Sequence, residues 1–138
     1  MSGTIHAGSC LCGSVRFRTR GALREVVACH CSQCRKQTGH FLAATNVGLA
    51  DLELEGEEGI TWYRASDFAR RGFCKTCGSV LFWKADSEKT ISILAGAFDA
   101  PSGLLMSHHI FCADKGDYYA ITDGLPQYEQ GSPGLVVA

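Results

Sequence analysis

Seven of the eight cysteines in this sequence fall into three short groups whose spacing suits metal binding. The groups are Cys10-x-Cys12, Cys29-x-Cys31-x-x-Cys34 and Cys74-x-x-Cys77. Alternate residues of a β-strand project to the same face, so Cys10 and Cys12 can reach one ion. Gly78 can adopt the positive φ of the tight turn in a Cys-x-x-Cys metal knuckle. The first and last groups together supply four sulfurs, and we predict that Cys10, Cys12, Cys74 and Cys77 bind one structural Zn²⁺.

The middle group offers three thiolates, one fewer than a closed zinc site requires. If Cys29 and Cys31 point to one face, His30 points to the other and is a poor fourth ligand. Three protein ligands leave one position for water or substrate, as in catalytic zinc sites. We therefore predict a catalytic Zn²⁺ bound by Cys29, Cys31 and Cys34. The alternative is a second structural site, closed by another residue such as Cys112, which is otherwise a small buried hydrophobic residue.

Other uses of the cysteines are open but less favoured. A redox-active Cys74–Cys77 pair would have a helix beginning at the motif, whereas residues 78–83 have the composition of a strand. Cysteine ligands alone do not distinguish zinc from an iron–sulfur cluster. Two pairs and a triplet divide most simply into two zinc sites, that is, two Zn²⁺ per chain.

Three residues of the middle group's segment are candidate catalytic residues: His30, Gln33 and Arg35. His30 could transfer protons, since an imidazole has a pKa of about 6.5, or it could pack behind the site. Gln33 and Thr38 could donate hydrogen bonds near the metal. Arg35 and Lys36 could pair with an anionic substrate, or they could form a solvated basic edge.

Two further histidines and the basic residues near the last cysteine pair are assigned structural roles. His108 and His109 are expected to be structural. Arg70, Arg71 and Lys75 lie close in sequence to the Cys74–Cys77 pair. They could offset the negative charge of a four-thiolate zinc centre.

Short strands must position these groups. Apolar–polar alternation and frequent β-branched and aromatic residues predict strands at residues 15–18, 26–30, 41–47, 49–54, 60–64, 80–83, 91–94 and 109–112. Residues 32–38 are predicted to be helical, with Ser32 as the N-cap and Gly39 as the end. Residues 66–70 could form another helical turn, and residues 125–138 are predicted to be surface coil. The predicted fold class is mainly β.

Length and composition are those of one ordinary globular domain. The chain has 138 residues, 46% of them hydrophobic, and a net charge of −1. We predict a single domain over residues 1–138, with a core at about 4–125 and a C-terminal coil at 126–138. The charge argues against nucleic-acid binding, and no apolar run suits a membrane span. Without a signal peptide at the start, we expect a cytoplasmic protein. Its thiols should be reduced and should not form disulfides. We expect small-molecule partners, and the sequence does not predict the oligomeric state.

At these residues the sequence resembles the glutathione-dependent formaldehyde-activating enzyme (GFA) family, also called the centromere protein V (CENP-V)/GFA domain. The matching segments are residues 8–15, 29–36, 73–79, 96–99 and 109–126. The resemblance implies a β-tent (Mss4-like) fold of several small bent antiparallel sheets pinned by zinc, with few helical turns. It also implies the same division of the cysteines between a structural and a catalytic zinc. The sequence departs from the family in two ways. The family's usual C-terminal tryptophan is replaced, with Tyr118 or Tyr119 near that position, and the chain is shorter than the formaldehyde-active type.

The activity implied by the resemblance is the addition of glutathione to formaldehyde, which is a carbon–sulfur lyase reaction in reverse. We therefore expect a zinc-dependent enzyme that joins glutathione or a related thiol to formaldehyde or another small electrophile. The competing hypothesis is a non-catalytic, zinc-stabilised binding module, which a protein ligand completing the second zinc shell would favour. A third hypothesis, thiol redox activity, predicts a disulfide under mild oxidation.

Overall fold

The structure, a computed structural model, describes residues 4–133 and is mainly β, as predicted. Its strands and single α-helix over these residues are β1 (Ile5–Ser9), β2 (Arg16–Arg20), β3 (Val26–Cys29), α1 (Ser32–Thr38), β4 (Leu42–Gly48), β5 (Leu52–Glu55), β6 (Ile60–Tyr63), β7 (Ala69–Cys74), β8 (Val80–Ala85), β9 (Thr90–Leu94) and β10 (Met106–Ile110). Each predicted strand overlaps one of these. No helix in this part of the chain is long and apolar enough to cross a membrane.

The strands form two sheets. The smaller has the order β1-β2-β5, and the larger has the order β10-β3-β4-β9-β8-β7-β6. All pairs are antiparallel, as expected for small antiparallel sheets, except that β10 runs parallel to β3. An isolated bridge between Gly8 and Phe98 joins β1 to the segment after β9. The larger sheet therefore brings the ends of β3 and β10 beside each other.

The core lies between the smaller sheet and the middle of the larger one. β2 alternates exposed arginines with buried Phe17 and Thr19, the pattern of a strand with one face in the core. The Phe17 ring makes edge contacts with Phe82 and Phe98. Val15 is also fully buried here. Burial of these apolar side chains fixes the register of the strands that flank the first and last cysteine pairs. Cys10 and Cys12 lie in the turn between β1 and β2, so the strand alternation used to group them was wrong.

Helix α1 has the predicted bounds but a different N-cap. The side chain of Cys31, not Ser32, accepts a hydrogen bond from the N–H of Cys34, at 3.3 Å. Gly39 ends the helix with φ of 84°, a left-handed conformation that glycine adopts at little cost. The prediction of Ser32 as the cap was therefore wrong, because a cysteine sulfur satisfies the free helix N–H.

Two strands were not predicted, and one predicted turn was wrong. β1 and β7 are observed, and residues 66–68 form a bend that leads into β7 instead of a helical turn. The backbone N–H of Tyr128 donates to the carbonyl of His109, at 3.0 Å, so part of the predicted coil runs beside β10. Residues 134–138 of that predicted coil lie outside the described residues. The domain limits and the β-tent name stay predictions.

Candidate metal centres and cavity

The first candidate metal site is the four-cysteine group, Cys10, Cys12, Cys74 and Cys77. Their four sulfurs lie within 4.8 Å of one another. A zinc tetrahedron with Zn–S bonds of about 2.3 Å has S–S edges of about 3.8 Å. The sulfur of Cys12 lies 3.7 Å from that of Cys10 and 3.8 Å from that of Cys74. The donor set and these spacings fit a tetrahedral Zn²⁺.

Hydrogen bonds to the Cys74 and Cys77 sulfurs favour the thiolate form that a metal requires. The N–H groups of Thr76 and Cys77 each point at the Cys74 sulfur, at 3.4 Å. The Ser79 hydroxyl, 3.2 Å from the Cys77 sulfur, is the largest of the effects that lower the pKa of Cys77 to about 5. The Ser14 hydroxyl similarly lowers the pKa of Cys74, to about 7. The turn is therefore prepared to bind a cation through deprotonated sulfur.

The second candidate metal site is the three-cysteine group, Cys29, Cys31 and Cys34. Cys29 ends β3, Cys31 caps α1 and Cys34 lies in the first turn of that helix. Their sulfurs also lie within 4.8 Å of one another. Hydrogen bonds from Cys29 and Cys34 lower the pKa of the Cys31 thiol to about 2, whereas the neighbouring thiols and burial raise that of Cys29. Three cysteine sulfurs this close together suit a bound cation, which would offset the charge of their thiolates.

The three-cysteine group opens into a cavity of about 390 Å³ that all three cysteines line. Phe68, Trp83 and Phe111 give the cavity aromatic walls. Phe111 has φ of 53° and ψ of 39°, which is strained for an aromatic residue. Such strained residues concentrate at functional sites. The cavity does not include the four-cysteine group, in which Cys12 is exposed.

Arg71 lies at the three-cysteine group, not at the four-cysteine group where it was expected. Only 5% of this residue is exposed, and two of its guanidinium nitrogens lie 3.6 Å from the Cys34 sulfur. The same nitrogens donate to the side-chain oxygens of Gln37, at 2.9 Å, and Gln33, at 3.2 Å. The prediction was wrong because Arg71 projects from β7 toward α1. Arg70 instead stacks on Trp62, with its guanidinium carbon 4.4 Å from the ring centre.

Arg24 brings a second positive charge to the cavity wall. Its guanidinium donates to the carbonyl oxygens of Ala44, at 2.9 Å, and Glu25, at 3.1 Å. Burial lowers the pKa of Arg24. Among residues 4–133, neither Arg24 nor Arg71 has a carboxylate within salt-bridge distance. The cavity therefore holds two guanidinium groups without an ion-pair partner in that part of the chain.

The predicted catalytic residues occupy different places. Gln33 lines the cavity, and its amide donates to the carbonyl of Ala65, at 3.2 Å. Arg35 and His30 do not line it. His30 is fully buried on the other side of the cysteine segment, which favours the alternative of a histidine packed behind the site. Burial lowers the pKa of His30 to about 4, helped by neighbouring His109.

The other predicted residues also have definite positions. The Thr38 hydroxyl donates to the carbonyl of Cys34, at 2.8 Å, and not toward a metal. Lys36 is exposed, in keeping with a solvated edge. His109 is buried, which suits the structural role expected of it. Cys112 belongs to neither cysteine group among the described residues, so its position does not support it as a fourth ligand.

Sequence reasoning missed several residues that the fold brings to the site. Arg24 and Trp83 line the cavity, while Tyr119 and Asp123 belong to a hydrogen-bonded chain behind it. The sequence spacing could have placed Arg71 correctly. Arg71 and Cys74 are three residues apart, so in a strand their side chains lie on opposite faces. Arg24 carried no comparable signal.

A mainly β fold with a four-cysteine and a three-cysteine group defines a small protein with two sites that could hold metal ions. Residues 5–114 match the family model of the glutathione-dependent formaldehyde-activating enzyme. The chain therefore belongs to the GFA family, which confirms the resemblance noted from the sequence.

Individual relatives agree with this family. An uncharacterized lyase of Schizosaccharomyces pombe is 27% identical over 115 residues, 83% of either chain. A putative glutathione-dependent formaldehyde-activating enzyme of Halomonas elongata is 39% identical over 103 residues, which cover 67% of this chain and 65% of that one. A crystal structure of a Rhodobacter sphaeroides protein has a TM-score of 0.59 and 26% identity, covering 70% of this chain and 91% of the other. The family and relatives support a glutathione-related lyase.

Proposed function

We propose that this chain is a zinc-dependent carbon–sulfur lyase-type enzyme. It adds glutathione or a related thiol to formaldehyde or another small electrophile at the three-cysteine group. The observation that carries the proposal is the opening of three clustered sulfurs into a cavity of about 390 Å³. Three protein ligands leave a position that a substrate can take. Family membership supplies the reaction class.

The reaction needs orientation more than a strong catalyst. The thiol sulfur forms a bond to the carbonyl carbon, the C=O π electrons move to oxygen, and that oxygen takes up the proton released by the thiol. A Zn²⁺ bound by the three cysteines would lower the pKa of a coordinated thiol. The chain's own part is to hold the thiol and the electrophile side by side in the cavity.

Two guanidinium groups outnumber the one carboxylate, Asp114, among the residues that line the cavity, which favours an anionic thiol. Arg24 and Arg71 line it without a carboxylate partner among the described residues. A guanidinium group presents several donors in a geometry that matches a carboxylate. Arg71 is occupied by the Cys34 sulfur and two glutamines. Arg24 is therefore the residue we assign to a carboxylate of the thiol substrate.

The roles of the three predicted catalytic residues remain proposals. Gln33 both lines the cavity and accepts from Arg71, so we assign it to orient that guanidinium and to contact substrate. Arg35 would act on an anionic substrate only through its charge, since it lies outside the cavity wall. The His30 ring is fully buried, so an acid–base role would require other residues to relay protons between His30 and the substrate.

The test is metal analysis followed by a two-dimensional NMR titration. We expect about two zinc ions per chain, and shifts at Cys29–Cys34 and Arg24 on addition of glutathione. S-methylglutathione, whose sulfur cannot be deprotonated, is the matched control and should shift the Arg24 signals only. Formaldehyde added with glutathione should then change the signals of the three-cysteine group again. One zinc per chain, or no response to glutathione, would contradict the proposal.

The binding-module hypothesis makes a different prediction for the same titration. A protein ligand that completes the coordination of the second metal ion would favour this hypothesis. Among residues 4–133, Cys112 does not join the three-cysteine group. A module would bind zinc and show no shift with either glutathione compound.

A further inference from the structure

A chain of four side chains runs behind the three-cysteine group. The Asp123 carboxylate lies 2.8 Å from Nε2 of His109. Nδ1 of His109 lies 2.8 Å from Nε2 of His30, and Nδ1 of His30 lies 2.5 Å from the hydroxyl of Tyr119. The two imidazoles are buried, with 3% exposure for His109 and none for His30. Every ring nitrogen therefore has a partner.

Asp123 sets the direction of these hydrogen bonds. An ionised carboxylate only accepts, so Nε2 of His109 must carry a hydrogen. With both rings neutral, Nδ1 of His109 accepts from Nε2–H of His30. Nδ1 of His30 then accepts from the hydroxyl of Tyr119. One exposed carboxylate thus fixes the tautomer and the orientation of His30, through His109.

The position of His30 connects this chain to the candidate metal site. His30 stands between Cys29 and Cys31, and its backbone N–H donates to the carbonyl of Ile110, at 3.0 Å. The neighbouring Tyr118 hydroxyl donates to the carbonyl of Gly39, at 3.1 Å. Two consecutive tyrosines of the C-terminal segment therefore form hydrogen bonds with residues just before and just after α1, the helix that carries Cys34.

We infer that Asp123, His109 and Tyr119 are positioning residues that hold the Cys29–Cys31 segment in the conformation that binds the second metal ion. The inference rests on the proposed metal site of the three-cysteine group. None of the three residues touches a sulfur of that group in the described structure. They act by fixing His30, which cannot turn without leaving a buried nitrogen unpaired. Direct hydrogen-bond partners of metal ligands typically change metal affinity by about 10–100-fold, and these residues act one step further out, so we expect the lower end of that range.

The experiment measures zinc affinity at both sites by chelator competition in the full chain. Asp123→Ala should weaken the second ion by about tenfold and leave the first unchanged. Asp123→Asn keeps an acceptor oxygen and should bind within about twofold of wild type. Asp117→Ala, an exposed aspartate of the same segment, is the matched control and should change neither site. Nitrogen-15 NMR should show both histidines as Nε2–H tautomers in wild type, with the pattern lost in Asp123→Ala.

Each other outcome decides against the inference. Unchanged zinc affinities in Asp123→Ala would overturn it, and so would an equal weakening of both sites, which indicates a general loss of structure. The same loss in Asp123→Asn would show that the hydrogen bond is not the cause. A wild-type chain that binds one zinc would overturn the proposed function itself, so the two failures are distinguishable.

Discussion

Replacing Arg71 with methionine should weaken the second metal ion selectively. Arg71 is 5% exposed and places two nitrogens 3.6 Å from the Cys34 sulfur. Methionine retains much of the apolar stem and removes the charge and the donors. Gln33 and Gln37 lose a hydrogen-bond partner, but the Gln33 side chain is exposed to water. The change therefore acts mainly on the electrostatics of the three-cysteine group.

The size of the effect follows from the contact. A hydrogen bond to a charged group contributes about 1.5–3 kcal/mol. The N···S distance of 3.6 Å is long, so we take the lower end of that range. Since about 1.4 kcal/mol corresponds to a factor of ten, zinc should bind the second site about tenfold more weakly. Arg71→Lys keeps the charge without the forked geometry and should lose less.

The assay is a chelator competition that resolves both ions, with thermal unfolding measured in parallel. Arg70→Met is the matched control, because Arg70 is the adjacent residue of β7 and stacks on Trp62 away from the sulfurs. It should leave both zinc affinities unchanged. If Arg71→Met binds the second ion as tightly as wild type, or weakens the four-cysteine group equally, the assigned role of Arg71 is wrong.

Three further predictions concern activity, pH and backbone geometry. Cys31→Ser should abolish activity and leave most of the fold, whereas Cys77→Ser should unfold much of the protein; circular dichroism and zinc content test this division. The pKa of His30 is about 4 when folded and about 6.5 when unfolded, so the unfolded chain gains its proton first as pH falls. Stability present above about pH 6.5 should decline toward pH 4, by about 1 kcal/mol between pH 7 and 5.5 in denaturant titrations; no decline would contradict the assignment. Gly56→Ala should destabilise by more than about 2 kcal/mol, since its φ is 79° and an added Cβ would lie 2.0 Å from the Ser14 carbonyl oxygen. Gly13→Ala, with φ of 81° and open space around it, should cost only about 1 kcal/mol and is the control.

The parts of this protein that could be predicted from the sequence depend on short spacings. Cys31 and Cys34 are three residues apart on one helical turn, so their proximity follows from local geometry. The opposite directions of Cys29 and His30 follow from the alternation of a strand. Family resemblance rests on the same local motifs. Residue types and their spacing were therefore enough to predict the cysteine grouping and the mainly β class.

The surroundings of the cysteines depend on contacts between distant parts of the chain. Arg71 and Cys34 are 37 residues apart, and Tyr119 and His30 are 89 apart. No local sequence pattern predicts which strand packs against which helix. Because strand β7 was not predicted, the alternation of its side chains was not used, and Arg71 was assigned to the cysteine pair nearer in sequence. Asp123 lies on an irregular segment and had no periodic signal at all.

The two cysteine groups differ in the polar and charged groups that approach their sulfurs. In the four-cysteine group, backbone N–H groups and two serine hydroxyls approach the sulfurs. In the three-cysteine group, one Zn²⁺ with three thiolates would keep one net negative charge, and Arg71 lies against it. Arg24 then remains on the cavity wall with no carboxylate partner in the described chain. A thiol that carries a carboxylate would meet both needs, because its sulfur can complete the metal shell while its carboxylate pairs with Arg24.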